Sequence, residues 1–480
     1  MSEVERAILC GVDVGVKINR VSNRPNCPVS ATLPLDILPG RKPSRRGRSQ
    51  ETRMTAMNSL WMASADAPAR TYDSLGEQVD VDVAIIGGGF TGLSAALHLA
   101  EGGCRVCLVE AEEIGHGASG RNGGQVNPGL KLSESEVVAR LGNAGRGLFR
   151  LGEEATDFLA ELVTRKGLRC GFIRPGVIRL AHNTPAMKAL QSALRSLNDR
   201  GVAAEWLDRN AVEALVGTRR YVAGILDLRG GSVHPLDLVH ELARVAAGAG
   251  ATIFTRSPAT LLSRTAGRWH VDCPNGRVIA DNVIVATNGY TDALIPGLAR
   301  SLLPVNSFQV ATDRIGESLH GQILPGGHAV YDSRRLVLYF RKSPDGRVMV
   351  GGRASFQSSR SIPDAARDYA IIEQTLIAIF PQLRQTPFAF RWTGLVCITP
   401  DYLTHYHQPS PGLHALLGYN GRGVALSIRS GAWLAHKLLG AAETGAIPVT
   451  PIRPIPLHAF RQPLAHMVMQ WHRAMDLLGR

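Results

Sequence analysis

Two apolar rhythms alternate along the chain from residue 80. The run "DVAII" (82–86) is β-rich and ends in glycine. "GFTGLSAALHLAEGG" (89–103) then carries Leu93, Ala96, Leu97 and Ala100 at helical spacing, and Gly102–Gly103 stops the helix. "RVCLVE" (105–110) is a second strand-like run. The order strand, glycine turn, helix, strand within about 30 residues predicts a βαβ unit. Further on, "GATIFTRSPATLL" and "ADNVIVATNGY" read as strands, the latter ending in Thr-Asn-Gly. "GYNGRGVALSIRSGAWLAHKLLG" reads as a glycine loop opening a helix, with Val424, Ala425, Ile428, Ala432, Ala435 and Leu439 on its buried side. Between these lie "GFIRPGVIRLAHN", read as strands, and "TPAMKALQSALRSLNDRG", read as a helix. Strand-like runs "SFQVATD", "LVLYFRK" and "RVMVGGR" follow within 301–387, as an inserted antiparallel sheet would supply. No apolar run reaches the roughly 18–20 residues that span a bilayer.

The glycines of the first unit have a chemical reading. Gly87, Gly89 and Gly92 fill the G-x-G-x-x-G positions. The first allows the tight turn, the second the approach of a pyrophosphate, the third close packing of helix on strand. The helix start offers unpaired N–H groups to phosphate. Glu110 closes the second strand, where a carboxylate accepts hydrogen bonds from ribose hydroxyls and repels a 2′-phosphate. Together these predict dinucleotide binding and disfavour NADP. After Glu110 comes "GHGASGRNGGQ" (115–125), five of whose eleven residues are glycine. That is too glycine-rich for the helix that a plain NAD domain places there. Its amides have room to reach the middle of a cofactor. Arg121 offsets phosphate charge, and Asn122 and Gln125 can bond ribityl or flavin edges. The loop turns the expectation from NAD to FAD.

Composition bounds the rest. The 480 residues are 45% hydrophobic, enough for two structural domains. Seven cysteines without framework spacing suit a reducing, cytoplasmic setting. Cys104 and Cys107 form C-x-x-C on a predicted strand, where i and i+3 face opposite ways, so both are read as structural. The net charge of +13 is partly local: residues 41–53 hold six cations and one acid. No basic patch interleaves with stacking aromatics, so no nucleic-acid partner is expected. Residues 1–56 are proline-rich and aperiodic, read as a disordered basic extension without a secretory or twin-arginine core. Met54, Met57 and Met62 are candidate native starts.

These motifs carry a family resemblance. "DVAIIGGGFTGLSAALHLAEGG", "GASGRNGGQ", "VIVATNGYT" (283–291), "YFRKSPDGRVMVGGR" (339–353) and "GYNGRGVALS" (418–427) resemble the D-amino-acid-oxidase-like FAD oxidoreductases, nearest the γ-glutamylputrescine oxidoreductase group. The resemblance covers about residues 58 to 440. It implies an α/β fold: a Rossmann-like, glutathione-reductase-like FAD-binding domain with an inserted antiparallel-sheet substrate domain. The expected division is 76–170, 225–300 and 388–442 for the FAD domain, and 171–224 and 301–387 for the substrate domain. Residues 443–480 form a tail whose "LAHMVMQWHRAMDLL" is read as a docked helix rather than a membrane anchor. Expected cofactor residues are Gly87, Gly89, Gly92, Glu110, Ser119, Gly120, Arg121, Asn122, Gly123, Gly124, Gln125 and Thr287, with Gly418 and Asn420 from the last loop. The resemblance adds backbone near Ala259 at the adenine and Gly421, Gly423 and Val424 at the flavin. There the helix N-terminus would stabilise the anion that forms on reduction. His116 is the loop's sole candidate for covalent tethering, and a non-covalent flavin is expected.

The implied reaction is oxidation of an amine C–N bond to an imine, by hydride transfer to flavin N5, then hydrolysis. Oxygen or another acceptor takes the electrons. No catalytic triad or metal motif is found. Amino-acid-oxidising relatives place an arginine in the segment matching "WTGLVCITPDYLTH"; here Val396 takes that place. A bidentate carboxylate clamp needs a guanidinium, so the reading favours a γ-glutamylputrescine-like amine over an α-amino acid. An amino-acid or sarcosine-type oxidase is the alternative, and a basic binding protein on a relic flavin fold the third reading. Trp392 and Tyr419 are candidates for the pocket wall. Arg341, Arg353 and Arg391 are possible clamps, each also explicable as a structural cation. His234 precedes a helix-opening proline and needs no catalytic role.

Overall fold

The computed structural model describes residues 59–66, 69–355, 365–456 and 458–460, with single positions beyond. The expected extension 1–56 and most of the expected C-terminal helix lie outside the described residues, as do Met54 and Met57.

The first sheet is built on β1 (Gln78–Ile86), β2 (Val106–Val109), β3 (Thr252–Phe254), β4 (Gly276–Val285) and β5 (Leu413–Leu417). Their order is β5-β4-β1-β2-β3, all parallel. Strands Leu261–Thr265, Arg268–Cys273 and His405–Ser410 add antiparallel pieces. The chain builds outward from β1 to β3, then returns to the other side of β1 with β4. This reversal opens a crevice at the carboxyl ends of β1 and β4, where ligands bind in such sheets. Strand periodicity divides β1 between two cores. Val83 and Ile85 face the helices, while Ala84 and Ile86 face the opposite layer; Val81 joins that opposite core across an irregularity where the Asp82 and Val83 N–H groups share the Arg105 carbonyl. Each fully buried side chain of this kind contributes about 1.5–3 kcal/mol.

Helices packed on this half include α1 (Phe90–Glu101), α2 (Pro235–Gly248) and α3 (Gly423–Leu438), with Gly145–Lys166 in the same core. Spacing predicted one apolar stripe on α1, yet every residue from Phe90 to Ala100 is buried. The reason is close packing against α3. Ser94 Oγ donates to the Ile428 carbonyl at 2.7 Å, and a Cβ on Gly431 would be driven into the Thr91 carbonyl. Cys104 packs on the helix side and Cys107 lies in the opposite core. Burial pushes the Cys107 thiol up to about 12. Both are free, as an unreactive structural pair should be.

The second sheet has eight strands. Their order is Phe388–Ile398, Leu303–Arg314, Arg347–Ser355, Tyr339–Lys342, Ala329–Asp332, Val177–Ala181, Ala223–Asp227 and Ala204–Leu207. All neighbours run antiparallel except Ala329–Asp332 with Val177–Ala181, which are parallel. Phe388–Ile398 and Ala223–Asp227 belong to this sheet by their hydrogen bonds, whereas the expected division at 224/225 and 387/388 cuts them from it. Sequence spacing carries no record of which sheet a strand joins. Thr184–Asp199 is helical, as its pattern predicts, starting at an Asn183 cap.

Candidate active site

At the end of β1 the backbone turns on glycine. Gly87 adopts φ +110°, and a Cβ on Gly92 would be driven into the Gly87 carbonyl oxygen. The turn and the helix therefore close on each other only without side chains. Gly89 is the N-cap of α1 and has no side chain to cap with. Ser119 supplies the cap from the glycine loop: its Oγ accepts the Phe90 N–H at 3.0 Å. Glu110 Oε2 accepts the Gly88 N–H at 2.6 Å, and its Oε1 accepts the Glu112 N–H at 3.1 Å. Each carboxylate oxygen keeps a lone pair for a further donor. Three bare glycines, a helix start and a ribose-spaced carboxylate fit a dinucleotide. Among the described residues, no group of three His, Cys, Asp or Glu side chains could hold a metal ion.

The glycine loop is closely packed and hydrogen-bonded to itself. Residues Ala118–Gly120 form a 3-10 turn, and a Cβ on Gly120 would collide with the Gly115 carbonyl. The Asn122 side chain turns inward on its own loop. Its amide donates to the Ser119 and Ala118 carbonyls at 2.8 and 3.2 Å, and its Oδ1 accepts the Gly124 N–H at 2.8 Å. Arg121 Nε donates to the His116 carbonyl. From behind, the Arg121 carbonyl accepts Trp392 Nε1 at 3.0 Å and Gln309 Nε2 at 2.7 Å. Gln125 is buried and donates to the Val330 carbonyl at 3.0 Å, tying the loop to the second sheet. The Tyr339 ring lies against Gly123.

Arg341 is 4% exposed and has no carboxylate partner among the described residues. Its Nη1 donates to the Val233 and Gly124 carbonyls at 2.7 and 3.0 Å, while its Nε is buried without a partner. Desolvation lowers its pKa to about 10, so it stays cationic at neutral pH. Arg391 is paired with Glu373 at 2.6 Å. The Arg353 side chain lies outside the described part. Val396 stands on the edge strand of the second sheet, opposite Val305.

The last loop is a knot of polar bonds. Tyr419 is buried, and its phenol meets Thr91 Oγ1 at 2.6 Å. Asn420 adopts φ +52°. It is held there by bonds from Thr399 N–H to its Oδ1 (2.9 Å) and from its Nδ2 to the Gly418 carbonyl (2.7 Å). Gly418 and Gly421 follow with φ +87° and +84°, and nothing would crowd a Cβ on Gly421. Gly423 and Val424 then begin α3. Gly418 N–H donates to Asn288 Oδ1 at 3.0 Å, joining this loop to the end of β4. Thr287 is nearby on that end, its hydroxyl 2.8 Å from Thr291 Oγ1. Ala259 is on the far side of the sheet, partly buried against the opposite core.

One part of the site was missed from sequence. The short helix Leu60–Ser64, capped by Ser59, inserts Trp61 behind the glycine loop. Trp61 is 1% exposed and donates Nε1 to the Asn122 carbonyl at 2.8 Å. Its ring meets those of Trp392 and His234 edge-on at 6.0 and 5.0 Å, and the Arg341 guanidinium lies 5.4 Å from it. Met62 sits inside this helix. The sole signal was a Ser followed two residues later by a lone Trp, too short to show periodicity. His234 is the helix-start residue that was expected: its Nδ1 accepts the Asp237 N–H at 3.1 Å. Its Nε2 lies 3.1 Å from Ser64 Oγ, and desolvation lowers its pKa.

A parallel sheet with a glycine phosphate turn, roofed by a second sheet, is the architecture of a two-domain flavoenzyme. Residues 82–437 match the family model described as FAD dependent oxidoreductase, so the chain belongs to that family. It is 34% identical to a probable oxidoreductase, OrdL, of Rhizobium meliloti over 403 residues, 82% of this chain and 92% of that protein. It is 31% identical to γ-glutamylputrescine oxidoreductase of Escherichia coli over 431 residues, covering 89% of this chain and all of that protein. Among solved structures, glycine oxidase from Geobacillus kaustophilus superposes with a TM-score of 0.66 at 21% identity, over 79% of this chain and 99% of that one. The protein is thus an FAD-dependent oxidoreductase whose relatives include enzymes of amines and amino acids. Among the described residues, no helix is long and apolar enough to cross a membrane.

Proposed function

We propose that the chain oxidises the C–N bond of an amine with no carboxylate on the carbon being oxidised, in the manner of a γ-glutamylputrescine-like compound, giving an imine that water hydrolyses. The observation that carries this reading is the strand Phe388–Ile398: Val396 stands where a clamp arginine is expected, and Arg391 is spent on Glu373. The similarity to γ-glutamylputrescine oxidoreductase over that protein's full length supports the same substrate class. When bound, FAD supplies two-electron acceptance.

The protein's part is binding and positioning. In this reading Gly87, Gly89, Gly92 and the start of α1 hold the pyrophosphate, and Glu110 a ribose. In this reading the 119–125 loop would line the middle of the cofactor, its carbonyls pinned by Trp61, Trp392, Gln309 and Arg341. Gly421, Gly423 and Val424 present the α3 start, whose partial positive charge favours electron-rich states nearby. Tyr419 and Trp392 act from behind, through Thr91 and the Arg121 carbonyl. His116 is exposed, and the flavin is held without a covalent bond; acid precipitation should leave the yellow colour in the supernatant. A cytoplasmic setting belongs to the same reading.

Anaerobic mixing of the holoenzyme with γ-glutamylputrescine, simpler amines, D-amino acids and sarcosine tests it. Bleaching of the visible flavin band by the amines is expected. Bleaching by α-amino acids alone would overturn it.

A further inference from the structure

Just beyond the glycine loop, three cations from separate segments of the chain stand near one another, none of them in a salt bridge with an acid. Lys131 Nζ stands 4.1 Å from the centre of the Tyr402 ring. Arg422, immediately before α3, donates Nη1 to the Pro128 carbonyl at 2.7 Å and Nη2 to the Tyr331 phenol at 3.2 Å. Arg179 is the direct cross-strand partner of Tyr331. Among the described residues, none of the three forms a salt bridge with a carboxylate. Acids are not scarce nearby, but they are taken. Asp227, which acts on the Tyr331 phenol, is clamped by Arg229 at 2.8 Å. Arg429, nearly two turns into α3, is paired with Glu443 at 2.6 Å.

Lys131 is accessible to solvent, yet surrounding protein desolvates it, and with the Arg422 charge lowers its pKa to about 8. Burial pushes the Tyr331 phenol up, but the Arg422 and Arg179 charges outweigh it and hold it below its ordinary value. Uncompensated like charges in such a place repel one another, and an anion between them removes that cost. The cluster also adjoins the proposed active site. Gln125 of the glycine loop is bonded to Val330, the residue before Tyr331, and Pro128 lies three residues past Gln125.

We propose that Lys131, Arg179 and Arg422 recognise a carboxylate that the substrate carries at a distance from the amine being oxidised. The γ-glutamylputrescine-like substrate proposed above is an amine of this kind, and what is new is the set of residues that would hold its carboxylate. The inference rests on the amine-oxidising reading above. It also reconciles the absence of a clamp at Val396 with a charged substrate, because the anion is held away from the reacting carbon. A guanidinium or ammonium bonding a carboxylate is the stronger kind of hydrogen bond.

The test uses the holoenzyme with γ-glutamylputrescine and its α-carboxamide, which differ in one charge. The wild type should prefer the acid. K131M and R179M should each raise the KM of the acid roughly ten- to hundredfold, and shrink its advantage over the amide. Calorimetric titration with glutarate gives a readout independent of turnover: binding to the wild type is expected, and weaker binding to both variants. Equal kcat/KM for acid and amide in the wild type, equal loss of both in the variants, or loss of FAD in place of loss of glutarate would each overturn the proposal. If neither amine bleaches the flavin while glutarate binding behaves as expected, the amine-oxidising reading falls and the anion site stands.

Discussion

The glycine loop is supported on two sides, and the two supports are built differently. In front, the β1–α1 turn works through close backbone approach. Gly88 and Glu110 lie 22 residues apart, and Gly87 and Gly92 only five. Behind, the supports are side chains from remote places: Trp61 and Asn122 are 61 residues apart, Arg341 and Gly124 217, Trp392 and Arg121 271. The front tolerates no added atom. The back is a group of large rings meeting edge-on and one buried cation, which a mutation would hollow out rather than overfill. One loop is thus defined by steric exclusion on one face and by packing on the other.

The largest expected effect is W61A, which removes a fully buried indole and should cost about 3–5 kcal/mol. Thermal unfolding would show it, and flavin content after dialysis should fall because the Asn122 carbonyl loses its anchor. Wild-type stability and flavin retention in W61A would show that the rear support is dispensable. G92A probes the front. Its Cβ meets backbone that has no rotamer to change, so a loss of about 1–3 kcal/mol or more is expected, with weak FAD uptake in a refolding titration.

Acid should separate the two sheets. His414 accepts or donates with Tyr406 at 2.9 Å and Asn282 at 3.3 Å, as a neutral imidazole does, and lies on β5 of the first sheet. Burial lowers His414 and His407 to about 4. The unfolded chain, with ordinary histidines, binds more protons between about pH 4 and 6.5, so stability is full above that window and is lost as pH falls through it, by roughly 1–3 kcal/mol per histidine. Amide exchange should then lose protection in β5 before it does in strand Leu303–Arg314. The smallest effect is W61F, which keeps most of the ring but drops the hydrogen bond to Asn122. About 0.5–1.5 kcal/mol is expected. W392F should match it, since both indoles do the same work on neighbouring carbonyls.

Much of the front support was legible. The glycine spacing, Glu110 and the loop 115–125 all lie within one short stretch, and each residue type has few conformational alternatives at its place. The helix-start reading of His234 and the opposed faces of Cys104 and Cys107 were legible for the same reason. The rear support was not. Trp61 sits in a five-residue helix with no periodicity to detect. Trp392 and Tyr419 were expected at the pocket wall from their motifs, but neither motif states which backbone atom or hydroxyl the ring finds. Membership of strands Phe388–Ile398 and Ala223–Asp227 in the second sheet was equally silent, because strand pairing is decided by edges that meet only after the chain has folded.

By itself the sequence determined a glycine turn between strand and helix, a glycine-rich loop after Glu110 and a helix opening from the last loop, because glycine at fixed spacing permits few backbone paths. Tertiary structure alone decided that this loop is backed by Trp61 and Arg341, and that Lys131, Arg179 and Arg422 stand together without an acid. Both depend on contacts between segments far apart in the chain. Charge and burial acquire their meaning there from neighbours that sequence order does not name.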